Sequence, residues 1–230
     1  MEDLGGKWVL ITGASRGIGY QIANALADSG CKLILHSRKL EGTLDMVNKL
    51  ISRGINANAI AADFSSIEEV ERFIKDVKEL TLDNLDVLYN NAGILTERRS
   101  LFEPTVEDYM NSFMVNSIVP AKLCDAFLPK MLERDWGRII NVTTGMINNP
   151  HQMAYSCSKA ALDRYVRDML PTLEGTNVLM NLLDPGWIST DLGGDKAPNP
   201  PESVIPGALV PILIEKDKGS GKLYRAQDYS

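Results

Sequence analysis

The stretch Trp8-Val-Leu-Ile-Thr-Gly-Ala-Ser-Arg-Gly-Ile-Gly19 places a short apolar run directly before a glycine-rich loop. The run is typical of a buried strand, and Ile18, Ile22 and Leu26 then recur at helical spacing. Glycines in a strand–loop–helix turn let the backbone approach a pyrophosphate closely, and the helix N-terminus supplies free N–H donors. The pattern therefore predicts a dinucleotide-binding turn. Its cofactor-contacting residues are predicted to be Gly13, Ser15, Arg16, Gly17, Ile18 and Gly19.

Strand and helix patterns alternate along the rest of the chain. Further strands are predicted at residues 32–36, 58–62, 86–90, 138–142, 178–183 and 222–224. Between them lie helical patterns at residues 42–53, 105–133 and 154–170, and a short one that ends near residue 215. Because each crossover between parallel strands must cover the sheet, we expect one α/β domain over residues 1–230. It is predicted to be a Rossmann-like, doubly wound parallel sheet with helices on both faces.

Two helix starts carry capping signals. Ser65 and Glu68 have the spacing of a capping box, which predicts the start of a helix that reaches about Leu80. Thr105 is the predicted cap of the long helical region at residues 105–133, which we expect to bend near Pro120.

The end of the second predicted strand discriminates between dinucleotides. An NAD binder normally places an Asp or Glu there to accept hydrogen bonds from the ribose hydroxyls. This chain has His36-Ser37-Arg38 at that position, with no acid. Arg38 and Arg16 are instead placed to flank a 2′-phosphate, and Ser37 to donate a hydrogen bond to it. The sequence therefore favours NADP(H) over NAD(H).

The segment Tyr155-Ser-Cys-Ser-Lys159 places a phenol and an ammonium four residues apart. In a helix this spacing puts both side chains on one face, one turn apart. A cation beside a phenol favours the phenolate and lowers the phenol pKa, so Tyr155 could exchange a proton with a substrate oxygen. On spacing alone, an ordinary surface pair is the alternative.

Composition narrows the classes of protein to consider. The 230 residues carry a net charge of −6, which argues against a sequence-independent nucleic-acid binder. No apolar run approaches the roughly 18 residues of a membrane span, and Met1 to Lys7 leave no room for a signal peptide. The three cysteines are expected to be reduced thiols, and His36 and His151 are too far apart to suggest a metal site. We expect a cytoplasmic protein without a metal.

Five motifs in order resemble the short-chain dehydrogenase/reductase family, over residues 7–191. They are the glycine loop, Asn90-Asn-Ala-Gly93, Asn116, Tyr155-x3-Lys159 and Pro185-Gly186. The segment Asp184-Pro-Gly-Trp-Ile-Ser-Thr-Asp-Leu-Gly-Gly194 is similar to a PGW-x-x-TD-[ML]-GG loop of carbonyl-reducing members.

The resemblance implies a role for each motif. Tyr155 would be the general acid in ketone reduction, while Lys159 would hold the nicotinamide ribose and lower the pKa of Tyr155. Asn116 would bind the water of a proton relay. Other cofactor contacts would come from Asp63 and Phe64 beside the adenine, from Asn91, Ala92 and Gly93 on the ribose side, and from Pro185, Gly186, Ile188 and Thr190 over the nicotinamide.

The chain departs from the family pattern at two places. Thr143-Thr144 follows the fifth strand where the family has Ser-Ser, whose second serine polarises the substrate carbonyl. By strand register Thr144 takes that role, and Thr143 is the alternative. The C-terminus lacks the glycine-rich strand through which many members form tetramers, so we expect a monomer or a homodimer.

The leading hypothesis is an NADP(H)-dependent carbonyl reductase or alcohol dehydrogenase acting on small molecules. The alternative is a dinucleotide-binding regulator or sensor that turns over weakly. We expect substrate choice to depend on the loop at about residues 187–206 and on residues around 95–101 and 146–153.

Overall fold

One seven-stranded parallel sheet runs through the protein. The computed structural model describes residues 2–96 and 100–229. The strands are β1 (Trp8–Ile11), β2 (Lys32–Ser37), β3 (Ala57–Ala61), β4 (Val87–Asn90), β5 (Gly137–Val142), β6 (Val178–Asp184) and β7 (Leu223–Arg225). Their order across the sheet is β3-β2-β1-β4-β5-β6-β7, and all pairs are parallel. The prediction of a Rossmann-like parallel sheet is confirmed.

Helices cover both faces of this sheet. The α-helices are α1 (Gly17–Leu26), α2 (Glu41–Ser52), α3 (Ile67–Thr81), α4 (Val106–Phe113), α5 (Val119–Glu133), α6 (Met153–Asp168), α7 (Leu170–Leu173) and α8 (Val210–Leu213). One apolar core lies between the sheet and α1, α2 and α8, and a second lies between the sheet and α3, α5 and α6. Strands β4, β5 and β6 are therefore buried along their whole length, which explains their lack of polar alternation.

The start of α3 differs from the prediction by one residue. Its N-cap is Ser66, whose hydroxyl accepts a hydrogen bond from the Glu69 N–H at 3.3 Å. Ser65 instead donates both its N–H and its hydroxyl to Asp63 Oδ1, at 2.9 and 2.7 Å, and lies in the turn before the helix. Glu69, rather than Glu68, completes the arrangement by accepting from the Asp63 N–H at 2.7 Å.

The long helical region at residues 105–133 is interrupted by a wider turn. Thr105 and Asp108 form a capping box at its start, which confirms Thr105 as the cap. Between α4 and α5 the chain forms a π turn at Met114–Ile118. The irregularity thus comes just before Pro120 and is centred on Asn116, which is fully buried.

The strand order reverses between β1 and β4. The chain leaves β1 toward β2 on one side of the sheet and enters β4 on the other, so a crevice opens outside their carboxyl ends. The glycine loop, residues 91–96 and the end of β5 all lie at this edge. Among the described residues, no helix combines the length and the apolarity that crossing a membrane requires.

Candidate active site

Two adjoining cavities open at the carboxyl end of the sheet. The larger, about 770 Å³, contains Tyr155 and Lys159 and is here called the tyrosine cleft. The smaller, about 630 Å³, follows the glycine loop to the ends of β2 and β3 and is called the loop groove. Ile18, Asn91 and Thr190 line both cavities, so the two form one continuous site.

Most of the predicted site residues line these cavities. The loop groove contains Gly13, Ser15, Arg16, Gly17, Ile18, Ser37, Arg38, Asp63, Phe64, Asn91, Ala92, Gly93 and Thr190. The tyrosine cleft contains Thr143, Thr144, Tyr155, Lys159, Pro185, Gly186 and Ile188. Gly19 and Asn116 line neither cavity and support the site from behind. Of the predicted substrate segment around residues 95–101, residues 97–99 lie outside the described part of the chain.

The glycine loop has no room for a side chain at its glycine positions. Gly13 and Gly17 have φ of +66° and +57°, a backbone conformation that favours glycine. A Cβ on Gly19 would lie 2.5 Å from the Gly13 carbonyl oxygen and 2.6 Å from Asn91 Nδ2. Because these positions are glycine, the loop packs directly against residues 91–92, and the N-terminus of α1 lies at the groove.

Asn91 and Thr12 fix the inner side of this loop. Asn91 Nδ2 donates to the carbonyl oxygens of Thr12 at 2.8 Å and Gly13 at 3.1 Å. The Thr12 hydroxyl accepts from the N–H groups of Asn91 and Ala92 at 2.9 and 3.0 Å. Asn91 and Ala92 therefore hold the loop as well as lining the groove.

His36 fixes the outer side of the loop, a role that the sequence reasoning missed. The Gly13 N–H donates to His36 Nδ1 at 3.1 Å, and the Ala14 N–H donates to the His36 carbonyl oxygen at 2.8 Å. The only sequence signal is its position at the end of β2, two residues before Arg38, where an NAD binder normally has an acid. Burial lowers the pKa of His36 to about 4, so the ring is neutral at physiological pH.

The far rim of the loop groove contains the residues predicted to select the cofactor. Arg38 is exposed there, beside Asp63 and Phe64. The Ser37 hydroxyl donates to the Lys39 carbonyl oxygen at 2.7 Å. This contact places the Ser37 hydroxyl at the end of β2, and its donation to a 2′-phosphate, like the role of Arg38, stays a prediction.

Arg16 spans the mouth of the groove. Its Nε lies 2.6 Å from Asp191 Oδ2, and both side chains are mostly exposed. The ion pair joins the glycine loop to the segment after β6. Exposed pairs of this kind contribute little to stability, so Arg16 can exchange partners with an incoming anion at small cost.

Tyr155 and Lys159 lie one turn apart on α6, and both are buried. Lys159 Nζ donates to the Val142 carbonyl oxygen at the end of β5, at 2.7 Å. Burial lowers the pKa of Lys159 to about 8, although the nearby Asp163 carboxylate opposes this shift. The ammonium form still predominates at neutral pH.

The predicted lowering of the Tyr155 pKa by Lys159 is corrected. Burial raises the pKa of Tyr155 to about 12, and hydrogen bonding with Thr144 only partly opposes this. The negative charge of Asp184 adds to the increase. With the protein's own groups, the phenol therefore stays protonated, as a general acid requires.

The two threonines after β5 have different surroundings. Thr144 lies beside Tyr155 in the tyrosine cleft, where it lowers the phenol pKa, and its Oγ1 accepts from the Met146 N–H at 3.1 Å. Thr143 Oγ1 is buried and interacts with the Asp163 carboxyl, whose pKa it lowers. The geometry thus brings Thr144, and not Thr143, to the phenol.

Asn116 lies behind Gly93 and lines neither cavity. Its Oδ1 accepts from the Ile94 N–H at 2.9 Å, and its Nδ2 donates to Ile94 O at 2.9 Å and Ser158 Oγ at 3.0 Å. A Cβ on Gly93 would lie 3.2 Å from Asn116 Oδ1 and 3.6 Å from Lys159 Nζ. Gly93 therefore allows these two polar groups to come close together.

The segment after β6 forms the opposite wall of the cleft. Gly186, with φ of +84°, donates its N–H to Asp184 Oδ1 at 3.0 Å. Trp187 Nε1 donates to the Gly193 carbonyl oxygen at 2.8 Å, which closes the segment on itself. Asp184, which sequence reasoning did not include, also lines the cleft.

The residues present fit a dinucleotide. The loop groove has a glycine-rich turn, the start of a ten-residue helix and an exposed arginine at its far end. No acid lies in the first turn of α1 to oppose a pyrophosphate. Within residues 2–96 and 100–229, no cluster of His, Cys, Asp and Glu side chains could hold a metal ion.

Comparison with known proteins agrees with this geometry. The family profile described as short chain dehydrogenase matches residues 7–200. The chain belongs to the short-chain dehydrogenase family. This short-chain dehydrogenase is 35% identical, over 196 residues, to a 3-oxoacyl-[acyl-carrier-protein] reductase of Synechocystis sp.; the match covers 84% of this chain and 78% of the relative.

Solved structures of this family have the same fold. A 3-oxoacyl (acyl-carrier-protein) reductase from Agrobacterium tumefaciens, with NADP bound, has a TM-score of 0.86 at 26% identity. That match covers 96% of this chain and 93% of the other. An NADPH-bound carbonyl reductase from chicken fatty liver has a TM-score of 0.83 at 26% identity, covering 97% and 98%. This short-chain dehydrogenase is thus an oxidoreductase by family.

Proposed function

We propose that this oxidoreductase uses NADPH to reduce ketone or aldehyde groups of small molecules, with Tyr155 as proton donor. One observation carries the proposal: a buried, protonated phenol shares a cleft with the Thr144 hydroxyl and the Lys159 ammonium, and this cleft is continuous with the loop groove. The alternative of a weakly active sensor has no comparable observation in its favour.

The chain's own groups have distinct tasks in this reaction. NADPH, when bound, supplies the hydride that the carbonyl carbon receives. Tyr155 gives its phenolic proton to the carbonyl oxygen, so the product is the alcohol. Because Thr144 Oγ1 accepts from the Met146 N–H, its own hydrogen can point to the same oxygen and stabilise developing negative charge. Lys159, anchored on Val142, keeps two N–H donors for ribose hydroxyls.

Asn116 remains the proposed water-binding member of a proton relay. Both hydrogens of its amide are donated to Ile94 and Ser158, so water would bind through its acceptor atoms. The adjacent Lys159 ammonium is the next donor along such a path.

Two arginines support NADP(H) over NAD(H). Arg38 lies exposed at the adenosine end of the loop groove, and Arg16 can leave Asp191 for a phosphate. The structurally similar reductases named above were solved with NADP or NADPH. No acid replaces Arg38 at the end of β2 to accept from ribose hydroxyls.

The carbonyl substrate is proposed to be apolar near the reacting group. Leu95, Met146, Trp187 and Leu192 line the tyrosine cleft. The resemblance of residues 184–194 to carbonyl-reducing members favours simple ketones, whereas the named relatives favour 3-oxoacyl thioesters. We propose a single domain with residues 187–206 as its substrate loop, acting in the cytoplasm as a monomer or homodimer.

Loss of NADPH absorbance should be followed with ketones, aldehydes and a short 3-oxoacyl thioester. Tyr155→Phe is expected to lower kcat by about 10²–10⁴-fold, because it removes the phenolic hydroxyl that acts as general acid and keeps the aromatic ring. Tyr165→Phe, on the same helix but bonded to Asp125, is the control and should keep wild-type kcat. Full activity of Tyr155→Phe would exclude the proton-donor role. Wild-type binding of NADPH without any turnover would support the sensor alternative.

The cofactor assignment has its own test. Arg38→Ala is expected to reduce the preference for NADPH over NADH by about ten- to a hundredfold, because a charge-assisted hydrogen bond to the 2′-phosphate is lost. The measurement is the ratio of the two dissociation constants. Arg53→Ala, an exposed arginine paired with Asp28 at the far end of α2, is the control. An unchanged ratio in Arg38→Ala would overturn the assignment.

A further inference from the structure

The His36 ring bridges two separate parts of the loop groove. One nitrogen, Nδ1, accepts from Gly13 at the start of the glycine loop, at 3.1 Å. The other, Nε2, lies 3.0 Å from the carbonyl oxygen of Ala62, just before the Asp63–Phe64 segment. Because a carbonyl oxygen only accepts, Nε2 carries the hydrogen and Nδ1 is the acceptor.

Packing leaves this ring one orientation. Its residue is 2% exposed, and the ring stacks on Phe64 at 4.0 Å between centroids with 7° between planes. Phe73 of α3 packs edge-on at 4.9 Å. Phe64 itself lines the groove. One face of the His36 ring therefore supports Phe64 at the predicted adenine end, while Nδ1 holds the glycine loop.

The hydrogen bonds require a neutral ring. A protonated ring would turn an N–H toward the Gly13 N–H, and two donors would face each other. Burial disfavours that charge, whereas the Asp63 carboxylate from the β3–α3 connection favours it. Phe64 and Phe73 carry no charge, while Arg16 and Arg38 line the same groove.

We propose that neutral His36 is a positioning residue for the dinucleotide, holding the glycine loop and the Asp63–Phe64 segment at a set separation. The pyrophosphate site and the adenine site are thereby held in the arrangement that one cofactor molecule requires. This inference rests on the proposed NADP(H) binding. His36 itself touches neither the substrate nor the reacting atoms.

Two substitutions separate the hydrogen bond from the packing. His36→Phe keeps a ring against Phe64 but removes both nitrogens, and we expect it to weaken NADP⁺ binding about tenfold, which corresponds to about 1.4 kcal/mol. His36→Asn places an amide oxygen near the position of Nδ1, and we expect a loss below about threefold. In both variants, kcat at saturating NADPH should stay within about twofold of wild type, because the tyrosine cleft is unchanged.

A control variant separates the positioning role from a general loss of stability, and NMR tests the tautomer of His36. Val77→Ala opens the same core under α3 without contacting the loop and should lower the melting temperature while leaving NADP⁺ affinity unchanged. The chain has two histidines, so long-range proton–nitrogen NMR correlations of wild type and His36→Asn assign the His36 signal by difference. We expect the Nε2–H tautomer, still neutral at about pH 6.

Several outcomes would overturn the inference. Folded His36→Phe with wild-type affinity, or a protonated or Nδ1–H ring in the NMR spectra, would exclude the positioning role. If His36→Phe does not fold, a loss of affinity in His36→Asn as large as tenfold would also exclude it, because that variant keeps the acceptor. Wild type that binds NADP⁺ but reduces nothing contradicts the proposed reaction alone. Wild type that binds no dinucleotide contradicts both.

Discussion

Thr144 and Thr143 are neighbours at the end of β5, yet only one of their hydroxyl groups reaches the phenol. Successive side chains of a strand point to opposite faces, so a difference of one residue decides which hydroxyl enters the cleft. Thr144 lies beside the Tyr155 phenol, whereas the Thr143 hydroxyl is buried beside the Asp163 carboxyl. A threonine can thus take the place of the family's serine, because its methyl group does not remove the donor.

Removing the hydroxyl should lower kcat at Thr144 and leave kcat unchanged at Thr143. Thr144→Ala is expected to lower kcat about a hundredfold, because a donor to the developing oxyanion is lost. Thr144→Ser keeps the hydroxyl and should stay within about fivefold of wild type. Thr143→Val is the matched control and should keep wild-type kcat, since that hydroxyl interacts with Asp163 rather than with the phenol. A large loss in Thr143→Val with none in Thr144→Ala would reverse the assignment. The measurement is steady-state reduction at saturating NADPH.

At the scale of elements, the π turn Met114–Ile118 holds helix α6 in place. Asn116 Nδ2 donates to Ser158 Oγ, and Ser117 Oγ donates to the Ser158 carbonyl oxygen at 2.6 Å. Ser158 lies beside Lys159 in sequence, so the turn fixes the part of α6 that carries the ammonium. The same Asn116 amide binds both backbone groups of Ile94, and it therefore joins α6 to the loop after β4.

Asn116→Ala is expected to lower the free energy of unfolding by about 2–4 kcal/mol, because three hydrogen bonds are lost and buried partners remain unpaired. Urea denaturation measures the change. Ser112→Ala is the matched control in the preceding helix: its hydroxyl is fully buried, has no partner within the described residues, and should be removable without loss of stability. Equal stabilities of Asn116→Ala and wild type would show that the turn does not depend on this amide.

At the scale of the whole molecule, Arg138 ties together the end of the sheet opposite the active site. It stands near the start of β5 and is fully buried. Its guanidinium donates to Glu2 Oε1 at 3.0 Å, to Asn177 O at 2.8 Å and to Ile214 O at 3.1 Å. The beginning of the described chain, the turn before β6 and the end of α8 thus meet on one side chain.

Arg138→Met should cost about 3–5 kcal/mol of unfolding free energy, because a buried charge is removed and its partners are left unpaired. The kcat of the folded variant should not change, since the tyrosine cleft lies at the opposite edge of the sheet. Arg164→Met, an exposed arginine paired with Asp168, is the control and should leave the denaturation midpoint unchanged. A fall in kcat of folded Arg138→Met would show that the two ends of the sheet are coupled.

Local patterns were sufficient to predict the architecture, while the resemblance to the family supplied many of the proposed site residues. Apolar runs and helical spacing indicate the seven strands and their crossovers, because burial of an element depends mainly on its own residues. The start of α3 was missed by one residue, since Ser65 and Ser66 are both capping residues by type and the turn formed by Asp63 and Ser65 leaves Ser66 at the cap. The site assignments for Gly13, Tyr155 and Lys159 remain predictions for activity, although the structure brings them to one edge of the sheet.

Residues 8–26 show what the sequence determined by itself: a strand, a turn that needs glycine at particular positions, and the start of a helix. The anchoring of the glycine loop was decided by tertiary structure, because Asn91 and His36 come from other strands and meet the loop only when the sheet forms. The tertiary structure also decided the charge states of Tyr155 and His36. Burial raises the pKa of Tyr155 to about 12 and lowers that of His36 to about 4. A pKa depends on the solvent and charges around a group, and these are set by residues distant in sequence.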